Sequence, residues 1–170
     1  LKFLRTRSAD RNLVLKLIAA DISKFNLAIQ FSLIILPCNT YSTLDKSGRL
    51  ACLTCVHRQL KQGGLFAFSI PNPTYLASIP AQSEAEMEDE LIHPLTGNPL
   101  QVSSTWQRTK DSFIITWIYD HLLPDGNVER SCVETRHSLV TVDDYKNEIQ
   151  AMGMKINDVF GDYDRSAYRS

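Results

Sequence analysis

The chain has 170 residues, 44% of them hydrophobic and 22% charged, with a formal net charge of -1. That composition suits one domain with a real core, and the near-neutral balance offers no electrostatic footprint for nucleic acid or an anionic membrane surface. No apolar run is long enough to cross a bilayer, and the opening "LKFLRTRSADRN" lacks the apolar stretch of a secretory signal.

In chain order, Leu1, Phe3 and Leu4 stand among basic residues and read as the tail of a helix, as though the chain began part-way through a longer protein. "LVLKLIAADI" (13–22) reads as a buried strand ending at Asp21, and "FSLIILP" (31–37) as a second, apolar on both faces. Near-continuous apolar runs suit parallel strands covered by helices on both sides. A helix is predicted from about Asp45 to Lys61, with Leu50, Leu53, Val56 or His57, and Leu60 at helical spacing and Gly63–Gly64 as its stop. "LFAFSIP" (65–71) is a third buried strand, which completes a βαβ unit with a parallel crossover.

The pattern changes after Pro73. Five acidic residues between Glu84 and Glu90 read as a solvated helix or loop. Alternating residues then predict three antiparallel strands, 100–109, 113–122 and 128–138, joined at "KD" and "PDGN". Thr141 and Asp144 form a T-x-x-D helix start, and the helix stops at Gly153. "MKINDVF" (154–160) is a last predicted strand. The fold class expected is therefore α/β: a mostly parallel sheet with an inserted antiparallel three-strand layer.

Chemistry-bearing residues gather at the strand ends. In open parallel sheets ligands sit beyond the carboxyl ends of the strands. Here those ends are Ala20–Asp21–Ile22, Pro37–Cys38–Asn39–Thr40–Tyr41 and Pro71–Asn72–Pro73. Polar tips on greasy strands mark the floor of a binding crevice or a plain strand-to-loop transition. The four cysteines, Cys38, Cys52, Cys55 and Cys132, are even in number. Without a secretory context they read as reduced thiols of a cytoplasmic protein. Cys52-x-x-Cys55 with nearby His57 lacks a second ligand pair for structural zinc and lies mid-helix rather than at a helix start, so no metal is expected.

These stretches carry a resemblance. "LIAADISKFNL", "FSLIILPCNTYSTL" and "LACLTCVHRQLKQGGLFAFSIPNP", in this order, are similar to the middle of a class I S-adenosylmethionine-dependent methyltransferase of the small-molecule type. "TWIYDHLLPDG", "HSLVTVDDYKNEIQAMGMKI" and "VFGDYDRS" resemble the back half of the same superfamily. The resemblance implies a partial Rossmann-like sheet, with 1–73 as its cofactor-side part, 74–140 as a substrate-side insertion and 141–170 as a closing helix and strand. It implies S-adenosylmethionine as cofactor. Asp21 would accept from the adenine amine, Ile22 would pack on the adenine face, and Leu36, Pro37 and Asn39 would lie beside the methionine part or the methyl group. A turn cap is the alternative for Asp21, and local turn hydrogen bonding for Asn39 and Tyr41. Tyr41, Asn72, Trp117 and Tyr119 would meet a small-molecule methyl acceptor, with Trp106 and His121 as further pocket candidates. His121 or His137 would be a general base or an ordinary strand residue.

The departures matter as well. Ser32 and Ser69 stand where the family commonly has Asp, and Gln62 where it has Pro. The family's glycine-rich cofactor turn has no counterpart, since no G-x-G occurs in the chain. The expectation is a piece of a methyltransferase that by itself binds the cofactor weakly or not at all. The competing expectation is a non-catalytic fragment or interaction module. A nicotinamide-dependent enzyme fits less well, because it also needs a glycine fingerprint.

Overall fold

The computed structural model describes residues 2–169; Leu1 and Ser170 lie outside them. Helix α1 spans Lys2–Asp10 and buries no residue. β1 (Phe31–Leu36) runs parallel to β2 (Leu60–Phe68), with Leu33 opposite Leu65 and Ile35 opposite Ala67. Helix α2 (Lys46–Gln59) connects them. Its first turn is capped by the Asp45 carboxylate, which accepts from Gly48 N at 2.7 Å. The helix gives way at Leu60, before the expected glycine stop, and Gly63 (φ 73°) instead shapes a bulge where the register slips between Phe31 and Leu33.

The core lies on one face of this pair. Tyr41, Cys52, Leu53, Val56 and Tyr145 form it, with Ile34, Leu36, Phe66 and Phe68 packed against it. Helix α4 (Val142–Ala151) supplies Tyr145 and is opened by a complete capping box between Thr141 and Asp144, as predicted. Arg49 of α2 and Glu148 of α4 form a buried two-point ion pair, at 2.8 and 2.7 Å, which clamps the two helices over the core. The opposite face of the pair, Leu33, Ile35 and Leu65, is exposed. The expectation of cover on both faces fails there.

The three antiparallel strands form as expected: β4 (Pro99–Arg108), β5 (Ser112–Leu122) and β6 (Val128–Ser138). A fourth, β3 (Glu86–Ile92), joins them in the order β3-β4-β5-β6. The acidic run expected as helix or loop is thus an edge strand. It is exposed throughout, and its charges suit an edge that must not recruit further strands.

Two predicted strands do not form. Residues 13–21 carry no regular hydrogen bonding, and Val14 is 98% exposed. Residues 154–159 likewise form none, and Phe160 makes only an isolated bridge to Ala167. Both segments have strand composition, but a strand exists only where a neighbour takes its hydrogen bonds. Met152, Met154 and Ile156 still alternate in burial with exposed neighbours, the period of a strand without a ladder.

Candidate functional site

The tips of β1 and β2 lie side by side. Ser69 N donates to Leu36 O at 3.4 Å, and Asn39 N donates to Ser69 Oγ at 3.1 Å. Between them the chain turns sharply. Pro37 has no backbone donor and ends the ladder. Cys38 and Asn39 then both adopt left-handed backbone, φ 58° and 56°. For Cys38 this costs roughly 1–2 kcal/mol, whereas Asn tolerates the left-handed region more readily, and such strain concentrates at functional turns. A short 3-10 turn, Thr40–Thr43, follows.

Several expected site residues sit differently from the sequence reading. Tyr41 is wholly buried, its ring 4.6 Å from that of Phe68 and 5.7 Å from that of Tyr145. It is a core residue, because the 3-10 turn points it inward, and its hydroxyl finds no hydrogen-bond partner. Burial beside Glu148 raises its pKa. Leu36 and Ile22 also pack against the core cluster. Asp21 accepts from Ser23 N and Oγ at 2.8 and 2.7 Å, the turn-cap alternative, and those bonds lower its pKa. Asn72 caps helix α3 (Pro73–Ser78), accepting from Thr74 N at 3.0 Å and Tyr75 N at 3.4 Å. Its amide nitrogen is not used in that cap. Pro37, exposed, and Asn39, half-buried, lie in the turn after β1.

The antiparallel sheet contributes one face. Residues directly opposite in an antiparallel ladder share a side. The register therefore puts Phe113, Ile115, Trp117, Tyr119 and His121 of β5 on one face, with Trp106 and Val102 of β4 and Val133 and His137 of β6. Trp117 and Tyr119 share this face, both half-buried. Trp106 is tied down, its indole N–H donating to Pro80 O at 3.3 Å. The same face meets the β1 turn through His137, whose Nδ1 lies 2.9 Å from Ser42 Oγ. Ser138 Oγ adds a bond to Leu44 O at 3.1 Å.

The two histidines considered as bases are far apart. His137 pairs across from Phe113, and His121 is eight residues further along β5, about 26 Å at strand rise. His121 stacks on His93 at 4.3 Å, and its Nε2 lies 2.8 Å from Thr96 Oγ1. Only His137 adjoins the turn. Burial lowers its pKa, so the neutral ring is favoured.

Sequence reasoning missed Ser42, Ser69 and the Arg49–Glu148 pair. Ser69 carried a signal, since it departs from the family's common residue at the strand tip. Ser42 and His137 are 95 positions apart, and nothing local links them. Among the described residues no group of three or more His, Cys, Asp or Glu side chains could hold a metal ion. Cys52 and Cys55 are buried free thiols, and burial pushes Cys52 up to about 11, which leaves it an inert core residue. No helix among these residues is long and apolar enough to cross a membrane.

The groups at these tips are the donor-free Pro37, the polar side chain of Asn39, and Ser69, which accepts from Asn39 N. Two open hollows lie elsewhere. One, of about 260 Å³, is lined by residues such as Gln101 and Asp120. The other, of about 520 Å³, is lined by Asn26 and Arg58 among others. Neither includes a residue of the strand tips.

No protein-family model matches the chain, and no curated protein sequence matches it. Solved structures do. A S-adenosylmethionine-dependent methyltransferase from Clostridium acetobutylicum superposes with a TM-score of 0.80 at 17% identity, over 97% of this chain and 64% of that one. An amino pentose methyltransferase from Micromonospora echinaspora, with S-adenosylmethionine bound, matches at TM-score 0.71 and 15% identity, over 97% and 67%. A sugar N-methyltransferase from Streptoalloteichus matches at 0.69 and 18%, over 86% and 57%. The chain thus spans about two thirds or less of the length of these neighbours. In architecture it has the class I fold of S-adenosylmethionine-dependent methyltransferases.

Proposed function

We propose that this chain is part of a S-adenosylmethionine-dependent methyltransferase that acts on a small molecule, with an amine-bearing sugar as the acceptor class. The adjoining tips of β1 and β2, joined by the Asn39–Ser69 bond, carry this reading. The likeness to sugar-modifying neighbours supports the acceptor class.

The cofactor, when bound, supplies an electrophilic methyl group on a sulfonium. The protein's share is to position, desolvate and take away a proton. Pro37 and Asn39 would line the methionine side, with Asn72 beside them. Trp117 and Tyr119 would offer aromatic surface to the acceptor. Asp21 has lone pairs left for an adenine amine even while it caps its turn.

The uncovered apolar face of Leu33, Ile35 and Leu65 favours a second reading, a non-catalytic interaction module. Titration calorimetry of the 170 residues with S-adenosylhomocysteine, and labelled methyl transfer to a panel of amino sugars by a longer form of the protein, separate the two. Weak binding by the short chain with transfer by the long one is expected. Absence of transfer to any small amine by the long form would sink the enzymatic reading.

A further inference from the structure

The hydrogen bonds around Ser42 fix the tautomer of His137. Ser42 Oγ has one proton and gives it to Asn39 O at 2.7 Å. Its 2.9 Å contact with His137 Nδ1 must therefore be Nδ1–H donating to Ser42 Oγ. The neutral ring carries its proton on Nδ1, and Nε2 makes no hydrogen bond among the described residues.

The same serine sits at the end of a chain of contacts. Ser69 Oγ on the β2 tip accepts from Asn39 N. Asn39 O accepts from both Ser42 N at 3.1 Å and Ser42 Oγ. Ser42 and His137 are both buried. Both peptide groups that flank the left-handed Asn39 are thereby held, one by Ser69 at the β2 tip and the other by Ser42, whose Oγ is in turn held by His137 of β6. A strained turn of this kind persists only when its surroundings over-determine it.

We infer that His137 is a positioning residue: through Ser42 it locks the left-handed Cys38–Asn39 turn and registers the aromatic face of the antiparallel sheet against the β1–β2 tips. The functional part of this inference rests on the methyltransferase reading; the lock itself does not. Ring orientation in binding sites is commonly set this way, by the bond that the far nitrogen makes. The side chain of Asn39 and the Trp117–Tyr119 surface then move as one body with respect to a ligand.

Three variants test it: His137→Phe, His137→Asn and Ser42→Ala. Asn places an amide N–H near the position of Nδ1, so it keeps the donor and drops the titration. In nitrogen-15 spectra of the native chain, His137 should show a pyrrole-like Nδ1 and a pyridine-like Nε2. Amide exchange at Asn39 and Ser42 should quicken about tenfold in His137→Phe and Ser42→Ala, the loss of one buried hydrogen bond, and return to within about threefold in His137→Asn. Exchange at Val56 in the core should not change, which separates the lock from general destabilisation. Unchanged Asn39 and Ser42 exchange in His137→Phe, or equal acceleration at Val56, overturns the lock. Millimolar S-adenosylhomocysteine should shift the Asn39 amide in the native chain and in His137→Asn but not in His137→Phe. No shift in the native chain, or an equal shift in His137→Phe, overturns the functional part of the inference, while the exchange results decide the lock.

Discussion

The two faces of the β1–β2 pair are built from the same kind of side chain and have opposite surroundings. Ile34, Leu36, Phe66 and Phe68 pack on the core below α2 and α4. Leu33, Ile35 and Leu65 stand in solvent, Ile35 at 60% exposure. Parallel strands are ordinarily covered on both sides, so sequence alone assigned both faces to the interior. Side-chain chemistry states a preference for burial; which face obtains it is decided by the elements that come to lie on it. Here α2 and α4 both lie on one side, and the Arg49–Glu148 pair fixes them there.

That pair gives the largest expected effect. Arg49 also donates to Leu44 O at 3.0 Å and stands 5.3 Å from the Tyr145 ring centre, so it joins α2, α4 and the turn after β1. Replacing Arg49 with Met leaves a buried, unpaired Glu148 and should cost about 3–5 kcal/mol. Adding Glu148→Leu should recover most of that loss, since a buried pair replaced by apolar residues is often neutral. Denaturant unfolding of the two single variants and the double variant measures this. A double variant no better than Arg49→Met would show that the clamp acts through more than its charges.

A sharper form of the comparison sets the faces directly against each other. Leu53 is fully buried in the core, and its change to Ala should cost about 2–5 kcal/mol through lost contacts and a cavity. Ile35→Ala on the open face should stay within about 0.5 kcal/mol. Unfolding midpoints of the two variants give the ratio. A large cost at Ile35 would mean that the open face is covered in solution, by another copy or by a partner.

What was legible in the sequence follows the range of the interactions involved. The capping box at Thr141–Asp144, the body of α2 and the β4–β5–β6 hairpins are set by residues within a few positions of one another, and they form as expected, although of the α2 stripe only Leu53 and Val56 are buried within the helix. The segments at 13–22 and 154–160 have strand residues but no ladder, because pairing belongs to the neighbour as much as to the sequence. β3 was hidden by its charges, which look like solvated helix and in fact protect an edge. Within the site, the adjacency of the β1 and β2 tips could be read from the βαβ unit, whereas no strand ends at Asp21. The inward turn of Tyr41 could not, because it depends on the left-handed pair just before it. The His137–Ser42 joint depends on two sheets meeting.

The gentlest test of the difference between the joint and the open face is a single proton. Burial depresses the folded pKa of His137 below the ordinary 6.5, with no charged neighbour among the causes. The unfolded ring therefore takes up a proton first as pH falls. Stability from this group is whole above the unfolded pKa, declines as pH drops through about 6.5 toward the folded value, and changes no further below it. The carboxylates at Asp45 and Asp144 are held low by their caps, so their contribution is lost only in stronger acid. Unfolding midpoints between pH 7.5 and 5.5 should therefore fall for the native chain, and fall less for His137→Asn, which does not titrate. Ile35→Ala should leave the native pH slope untouched, because its face carries no part of the joint. Equal slopes for the native chain and His137→Asn would mean that the ring is already solvated when folded. The two sheets would then meet through Ser138 and Leu44 rather than through His137.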